Sequence, residues 1–268
     1  VDNLLAYDET WLHRVNPSFK LLLSLALFFV LLFTDNLNVL VNLTLAQLIL
    51  LLCFSGQPLH RLLLMFLPFG LLFVSSSMSM MLFGKGDTTW IHWGLIRVTE
   101  ESSYRGLHIG LKTVNMALTG LTFALTTRPV ALFYSLMQQC KLPAKFAYSF
   151  MAALRLIPIM AAEFQTLGMA LKVRGVKRRA GLGGVYETLR LYAIPLLAQS
   201  IRRAQRIAVA MEAKRFSASH HRTFYYRIGF SQRDVYLLFY LVLTVCAALY
   251  LGQHFPYFHV GDVRYKVV

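Results

Sequence analysis

Three runs of 17 or more residues carry no charged residue, Leu37–Phe54, Leu62–Phe83 and Val235–Leu251. A helix needs about 20 mostly apolar residues to cross the hydrocarbon of a bilayer, so each run can span one with little help from its flanks. Leu21–Phe33 is shorter, thirteen residues interrupted only by Ser24, and crosses by borrowing neighbours such as Phe19 and Thr34. Leu107–Thr127 is weaker in hydropathy and makes a fifth candidate. With 57% hydrophobic residues, 15% charged residues and a mean hydropathy of +0.54, the chain does not read as a soluble domain. Asp2, Asp8 and Glu9 near the start, and no small-residue cleavage pattern after the first apolar run, predict a protein without a removable signal peptide.

Charge is distributed as unevenly as oil. Residues 128–233 hold 18 of the 27 Lys/Arg but only three acids, Glu163, Glu187 and Glu212, so the formal excess of +15 resides there and the remainder balances to zero. Basic connections of membrane chains stay in the cytoplasm, which predicts a cytosolic platform held by membrane helices. Five crossings then place the amino terminus inside with Arg14 and Lys20, the loop at His60 and Arg61 inside, and the loop at Asp35 outside. Gly84–Arg105, of mixed charge and with Trp90 and Trp93 suited to an interface, is expected as an external loop.

Several polar residues within the runs call for a packing reading. Asn38, Asn42, Thr44 and Gln47 are expected to hydrogen-bond inside a bundle, and Ser75, Ser76, Ser77 and Ser79 to satisfy carbonyls of their own helix. Gly106, Gly110, Thr113, Ala117, Gly120, Ala124 and Thr127 recur at alternating steps of four and three. They line one helix face with small side chains, a seam for this chain's own helices or for a membrane partner. Cys53, Cys140 and Cys246 are too far apart for a metal or disulfide framework and read as small apolar residues.

Beyond Arg128 and Pro129 the pattern turns amphipathic. One helix is predicted from Pro143 to about Arg179, kinked at Pro158, and a second from Val185 to about Phe216 after a turn at Gly181, Gly183 and Gly184. Arg203, Arg206, Ala210 and Lys214 fall at steps of three, four and four, a basic stripe beside the small apolar Ala204, Ala208 and Met211. Lys177, Arg178 and Arg179 suit anionic lipid headgroups.

No catalytic constellation is present in the sequence. The phosphate-binding Gly-rich loop is missing, the three cytosolic acids are more than twenty residues apart, against a metal-dependent membrane enzyme, and adjacent His220 and His221 lack a third ligand. Charge alone would suit nucleic acid, but no aromatic stacking platform accompanies the arginines, and no nucleic-acid partner is expected.

Phe150-Met-Ala-Ala-Leu-Arg-Leu-Ile-Pro158 with Glu163, then Lys172-Val-Arg-Gly175, then Arg202-Arg-Ala-Gln-Arg-Ile-Ala-Val-Ala-Met-Glu-Ala-Lys-Arg-Phe216, resemble in order the coupling region of transmembrane (T) components of energy-coupling factor (ECF) transporters. His13-Arg-Val-Asn-Pro17 with Lys20 resembles the family's opening segment. The family carries two Ala-Arg-Gly signatures near the ends of two long coupling helices. Here Val173 stands for the first alanine, and Lys214 and Arg215 stand for the second Arg and Gly. The resemblance implies an all-α, polytopic bundle of about five crossings with two long cytosolic coupling helices, divided as 1–128, 129–233 and 234–268. It implies a noncatalytic scaffold in the bacterial cell membrane, bound to two cytosolic ABC ATPase subunits and a substrate-binding S component for vitamin or metal-ion uptake. The chain itself would need no cofactor, ATP and magnesium residing on the partners. Coupling contacts then fall on Arg174, Gly175, Glu212, Ala213, Lys214 and Arg215, with Glu212 free to pair with Arg215 or with a partner. A membrane enzyme with a basic cytosolic site and a lipid-binding assembly scaffold are the rival readings.

Overall fold

The computed structural model describes residues 9–84, 89–93, 96–176, 181–216 and 224–258. Eight α-helices account for most of them: α1 (Pro17–Phe33), α2 (Leu37–Phe54), α3 (Leu59–Phe83), α4 (Glu100–Thr126), α5 (Pro129–Gln139), α6 (Ala144–Val173), α7 (Leu182–Ala213) and α8 (Gln232–His254). Between α3 and α4 an antiparallel hairpin pairs β1 (Thr89–Trp93) with β2 (Ile96–Thr99). The chain divides into two compact units, residues 1–135 with 228–268, and residues 136–227.

The first unit is a helix bundle. Leu27, Leu31, Val39, Leu40, Leu43 and Ala248 form one buried cluster, and Leu12, Val15, Leu23, Leu50 and Leu237 another, so α1, α2 and α8 share a core. Leu51, Leu62, Val114 and Leu118 join α2, α3 and α4. Lipid tails are as apolar as these side chains, so close fit and internal hydrogen bonds must hold the helices together. Both are present. Asn115 donates to Thr44 Oγ1 (2.7 Å), Thr119 Oγ1 donates to Gln47 Oε1 (3.2 Å), and Asn38 exchanges two bonds with the Phe258 backbone. Three of the four polar residues picked out in the second apolar run are thus used inside the bundle. Asn42 Nδ2 is buried without a partner among the described residues. Ser76 Oγ donates to its own helix at Phe73 O (3.2 Å).

One end of the bundle is tied by a buried polar junction. Asn16 caps α1 by accepting from Ser18 N (3.2 Å) and from Ser135 Oγ (2.8 Å), and its own N–H donates to Asp234 Oδ1 (2.7 Å) on α8. The other Asp234 oxygen accepts from Ser231 N (2.6 Å) and so starts α8. Lys20 is buried as well, its Nζ donating to Leu12 O (2.6 Å) and to Thr126 O (3.0 Å) and Oγ1 (3.2 Å) at the last turn of α4. Charge counting assigned Lys20, with Arg14, to the inside. The fold uses Lys20 as a cap for the carbonyl end of α4, where a cation is favourable.

By length and composition α2, α3, α6 and α8 could each cross a membrane, and α4 with α5, which meet at a 94° bend, would make a fifth span. α1, at 17 residues, is a shorter apolar helix. α6 was expected only as a coupling helix, yet its apolar content meets the same measure. α4 begins at Glu100, seven residues ahead of the apolar run, because Thr99 accepts from Ser102 N (3.2 Å) while the Ser102 hydroxyl accepts from Thr99 N (3.0 Å). The expected external loop is therefore a hairpin followed by helix. The side chains of Trp90 and Trp93 lie outside the described residues.

Candidate functional site

The second unit consists chiefly of α6 and α7, which cross antiparallel. Three sets of contacts fix the direction. Tyr148 near the start of α6 meets Phe216 just past the end of α7 (ring centroids 5.5 Å apart). Ser200 Oγ lies 3.1 Å from Met160 Sδ at mid-length. Phe164 stacks on Tyr192 (4.8 Å), and a Cβ added at Gly168 would sit 3.2 Å from the Tyr192 hydroxyl. Pro158 and Pro195 lie within the two helices, each removing one intrahelical hydrogen bond.

At the crossing Arg203 Nη2 pairs with Glu163 Oε1, and both side chains are about four-fifths buried. The helix faces explain it. Met160, Glu163, Leu167 and Leu171 are among the less exposed positions of α6, as are Leu196, Ser200, Arg203, Ile207 and Met211 among those of α7. Arg203, read from sequence as part of an outward basic stripe, is therefore turned into the crossing. Arg206 is exposed, and it shares a shallow outer groove with Arg202, Gln205, Val209, Ala210 and Ala213. Arg202 and Arg206 are the cations of that outer face.

Each helix ends in the same way. At α6, Arg174 N donates to Ala170 O (3.1 Å), Gly175 N to Lys172 O (3.0 Å) and Val176 N to Leu171 O (3.2 Å). At α7, Lys214 N donates to Ala210 O (3.1 Å), Arg215 N to Glu212 O (2.8 Å) and Phe216 N to Met211 O (2.9 Å). Both are Schellman caps, which require a left-handed residue directly after the cap position. Gly175 supplies it with φ +71°, and Arg215 with φ +53°. For a residue with a Cβ that conformation costs roughly 1 kcal/mol. Among the described residues Lys141 is the other non-glycine at positive φ. The caps superpose Arg174 on Lys214 and Gly175 on Arg215, the correspondence that the sequence signatures suggested.

Because the helices are antiparallel, the two capped ends lie at opposite ends of the pair. At about 1.5 Å per residue the 30 residues of α6 run roughly 45 Å. Arg174, Gly175, Glu212, Ala213, Lys214 and Arg215 are all exposed. Arg174, Lys214 and Arg215 have no ion-pair partner among the described residues, and Glu212 meets Arg215 only through its backbone carbonyl. Glu163, which locks the crossing, carried no site role in the sequence reading. Its contact with Arg203 spans 40 residues and left no local signature. Lys177–Arg179, His220 and His221 lie outside the described residues.

The small-residue seam is divided. A Cβ on Gly106 would come within 2.5 Å of Met81 Cγ and 2.7 Å of Ser77 O, and one on Gly110 within 2.7 Å of the Phe73 ring, so this half seats α4 against α3. Gly120 has nothing within 4 Å, Gly120 and Ala124 are exposed, and Ala117 is intermediate. Among the described residues no three His, Cys, Asp or Glu side chains gather as a metal site, and Cys53, Cys140 and Cys246 are free thiols.

Residues 8–225 match the family described as cobalt transport protein, CbiQ. The chain is 25% identical to the energy-coupling factor transporter transmembrane protein EcfT of Lacticaseibacillus paracasei over 84% of its own length and 88% of the relative's. It is 29% identical to that of Brevibacillus brevis over the same shares. With the protein of that name from Streptococcus equi subsp. equi it shares 25% identity, covering 90% of this chain and 91% of the relative.

Proposed function

This chain belongs to the CbiQ family, and from that premise we propose that it is the noncatalytic transmembrane subunit of an energy-coupling factor importer for vitamins or metal ions. It is a multi-pass membrane protein of that kind of complex. Its coupling region, residues 129–233, lies in the cytoplasm with the amino terminus. The two capped ends at Arg174-Gly175 and Lys214-Arg215 each receive one ABC ATPase subunit. The remaining membrane helices, with the open half of the α4 seam at Gly120 and Ala124, face a substrate-binding S component.

The observation that carries this reading is the pair of matching basic caps at opposite ends of one antiparallel crossing. Two like subunits that approach and separate on nucleotide binding need two like anchor points a fixed distance apart, and a rigid helix pair supplies them. Closure of the ATPases would then move both ends at once, and the Glu163–Arg203 contact would pass that movement from one helix to the other.

Purification in mild detergent from cells that express the neighbouring genes is expected to recover two ATPase subunits with this chain. Reversing charge at both Arg174 and Lys214 is expected to release them and abolish uptake. Retention of both ATPases and unchanged uptake in the double reversal would reject these residues as anchors.

A further inference from the structure

The two anchor points share a backbone but not a chemistry. At the first end the left-handed position after the cap is filled by Gly175, and at the second the same position, closed by the same two hydrogen bonds, is filled by Arg215. A helix end that needed only its cap would be served better by glycine, as the first end of this chain demonstrates. Arginine has the Cβ that the left-handed region disfavours, and it lacks the short polar side chain that eases Asn or Asp into that region.

Nothing within the described chain compensates for that cost. The Arg215 side chain is exposed and has no partner there, and Glu212, three residues earlier, is joined to it only through main-chain atoms. The second end thus presents Lys214 and Arg215 side by side, whereas the first presents Arg174 followed by a bare backbone. The outer groove leading to the second end adds Arg202 and Arg206.

The geometry points to Arg215 as a recognition residue at the second end, its guanidinium taking a carboxylate side chain of the ATPase subunit docked there, so that the two ends are not interchangeable. This rests on the reading that both ends anchor ATPases. A planar fork of N–H donors fits a carboxylate through two parallel bonds, which an ammonium such as Lys214 cannot reproduce. The left-handed backbone fixes the direction in which the Cα–Cβ bond leaves the helix end, and the side chain's rotamers are ordered on docking.

The test uses the whole complex, with its two ATPases and substrate-binding subunit, in detergent and in anionic vesicles. Arg215→Ala removes the guanidinium and keeps the disfavoured backbone, Arg215→Gly removes both, and Arg215→Lys keeps the charge alone. The expected result is at least a tenfold weaker hold on one of the two ATPases for the Ala and Gly variants with a shallower salt dependence of attachment, and for Lys a partial loss with the salt dependence of the parent. Arg215→Gly should unfold no earlier than the parent chain, which separates lost recognition from lost structure. Ala and Gly variants that hold both ATPases as the parent does would overturn the inference and leave the anchors standing. Unchanged ATPase attachment with weakened association to anionic vesicles would overturn it in favour of lipid. A parent chain that holds no ATPase would remove the underlying reading together with this one.

Discussion

In the bundle, Lys20 and Asp234 are buried and tie helices together, Lys20 to the end of α4 and Asp234 to the start of α1, whereas in the crossed pair Arg174, Lys214 and Arg215 stand exposed at helix ends with no ion-pair partner among the described residues. Cations are present in both units, and the second unit also turns one inward, Arg203 against Glu163 at the crossing. The contrast separates residues that hold the molecule together from residues left for another molecule. Substitutions of the buried charges in the bundle should therefore act on stability, and substitutions of the exposed cations at the capped ends on attachment.

The sharpest way to break the comparison is at Asp234. Asp234→Ala orphans the Asn16 N–H and removes the carboxylate that accepts from Ser231 N at the start of α8. Each lost bond to a buried charged group costs about 1.5–3 kcal/mol, so the variant should accumulate poorly and unfold early in detergent. A melting curve like that of the parent would show that the junction does not hold the bundle.

Next in size is the crossing. Glu163→Leu or Arg203→Leu alone should cost about 3 kcal/mol, because each strands the other's charge, whereas the double substitution should recover most of the loss. Unfolding of the four proteins of this cycle checks it. Additive losses would mean that the two side chains act separately. If the pair transmits movement, the double variant should keep both ATPases and hydrolyse ATP without matching uptake.

The seam offers a comparison within one helix. Gly110→Leu forces a side chain into the Phe73 ring and should cost about 1–3 kcal/mol, while Gly120→Leu meets open space and should leave stability unchanged. Recovery of the S component should fall only for the second. Smallest is Gly175→Ala, which places a Cβ in the left-handed region and should destabilise the end of α6 by about 1 kcal/mol, read as faster amide exchange at Gly175 and Val176.

Much of this was legible in the sequence because lipid imposes a length and charge imposes a side. The runs at 37–54, 62–83 and 235–251 fall within α2, α3 and α8 with modest shifts at their ends. Helix ends were harder. α6 stops at Val173, not near Arg179, since Gly175 turns the chain, and α4 starts early on a Thr99–Ser102 cap that hydropathy does not register. Faces were harder still. Steps of three and four grouped Arg203 with Arg206, but the same steps group Arg202 with Arg206, Val209 and Ala213, and only the position of α6 decides which row is outside. The capping role of Lys20 was not legible, because its acceptors, Leu12 O and Thr126 O, are backbone atoms that no side-chain pattern reveals. The paired signatures were readable as a motif. Their common cap, and the arginine held in the glycine position, required the backbone.

The central claim is that the two capped ends are separate anchors for two ATPase subunits. Photo-crosslinkers placed singly at positions 174 and 214 in the intact transporter test it most directly. Each position should crosslink to one ATPase subunit, a different one from each end when the two ATPases differ. Crosslinks to lipid alone, or to a single ATPase copy from both ends, would contradict it.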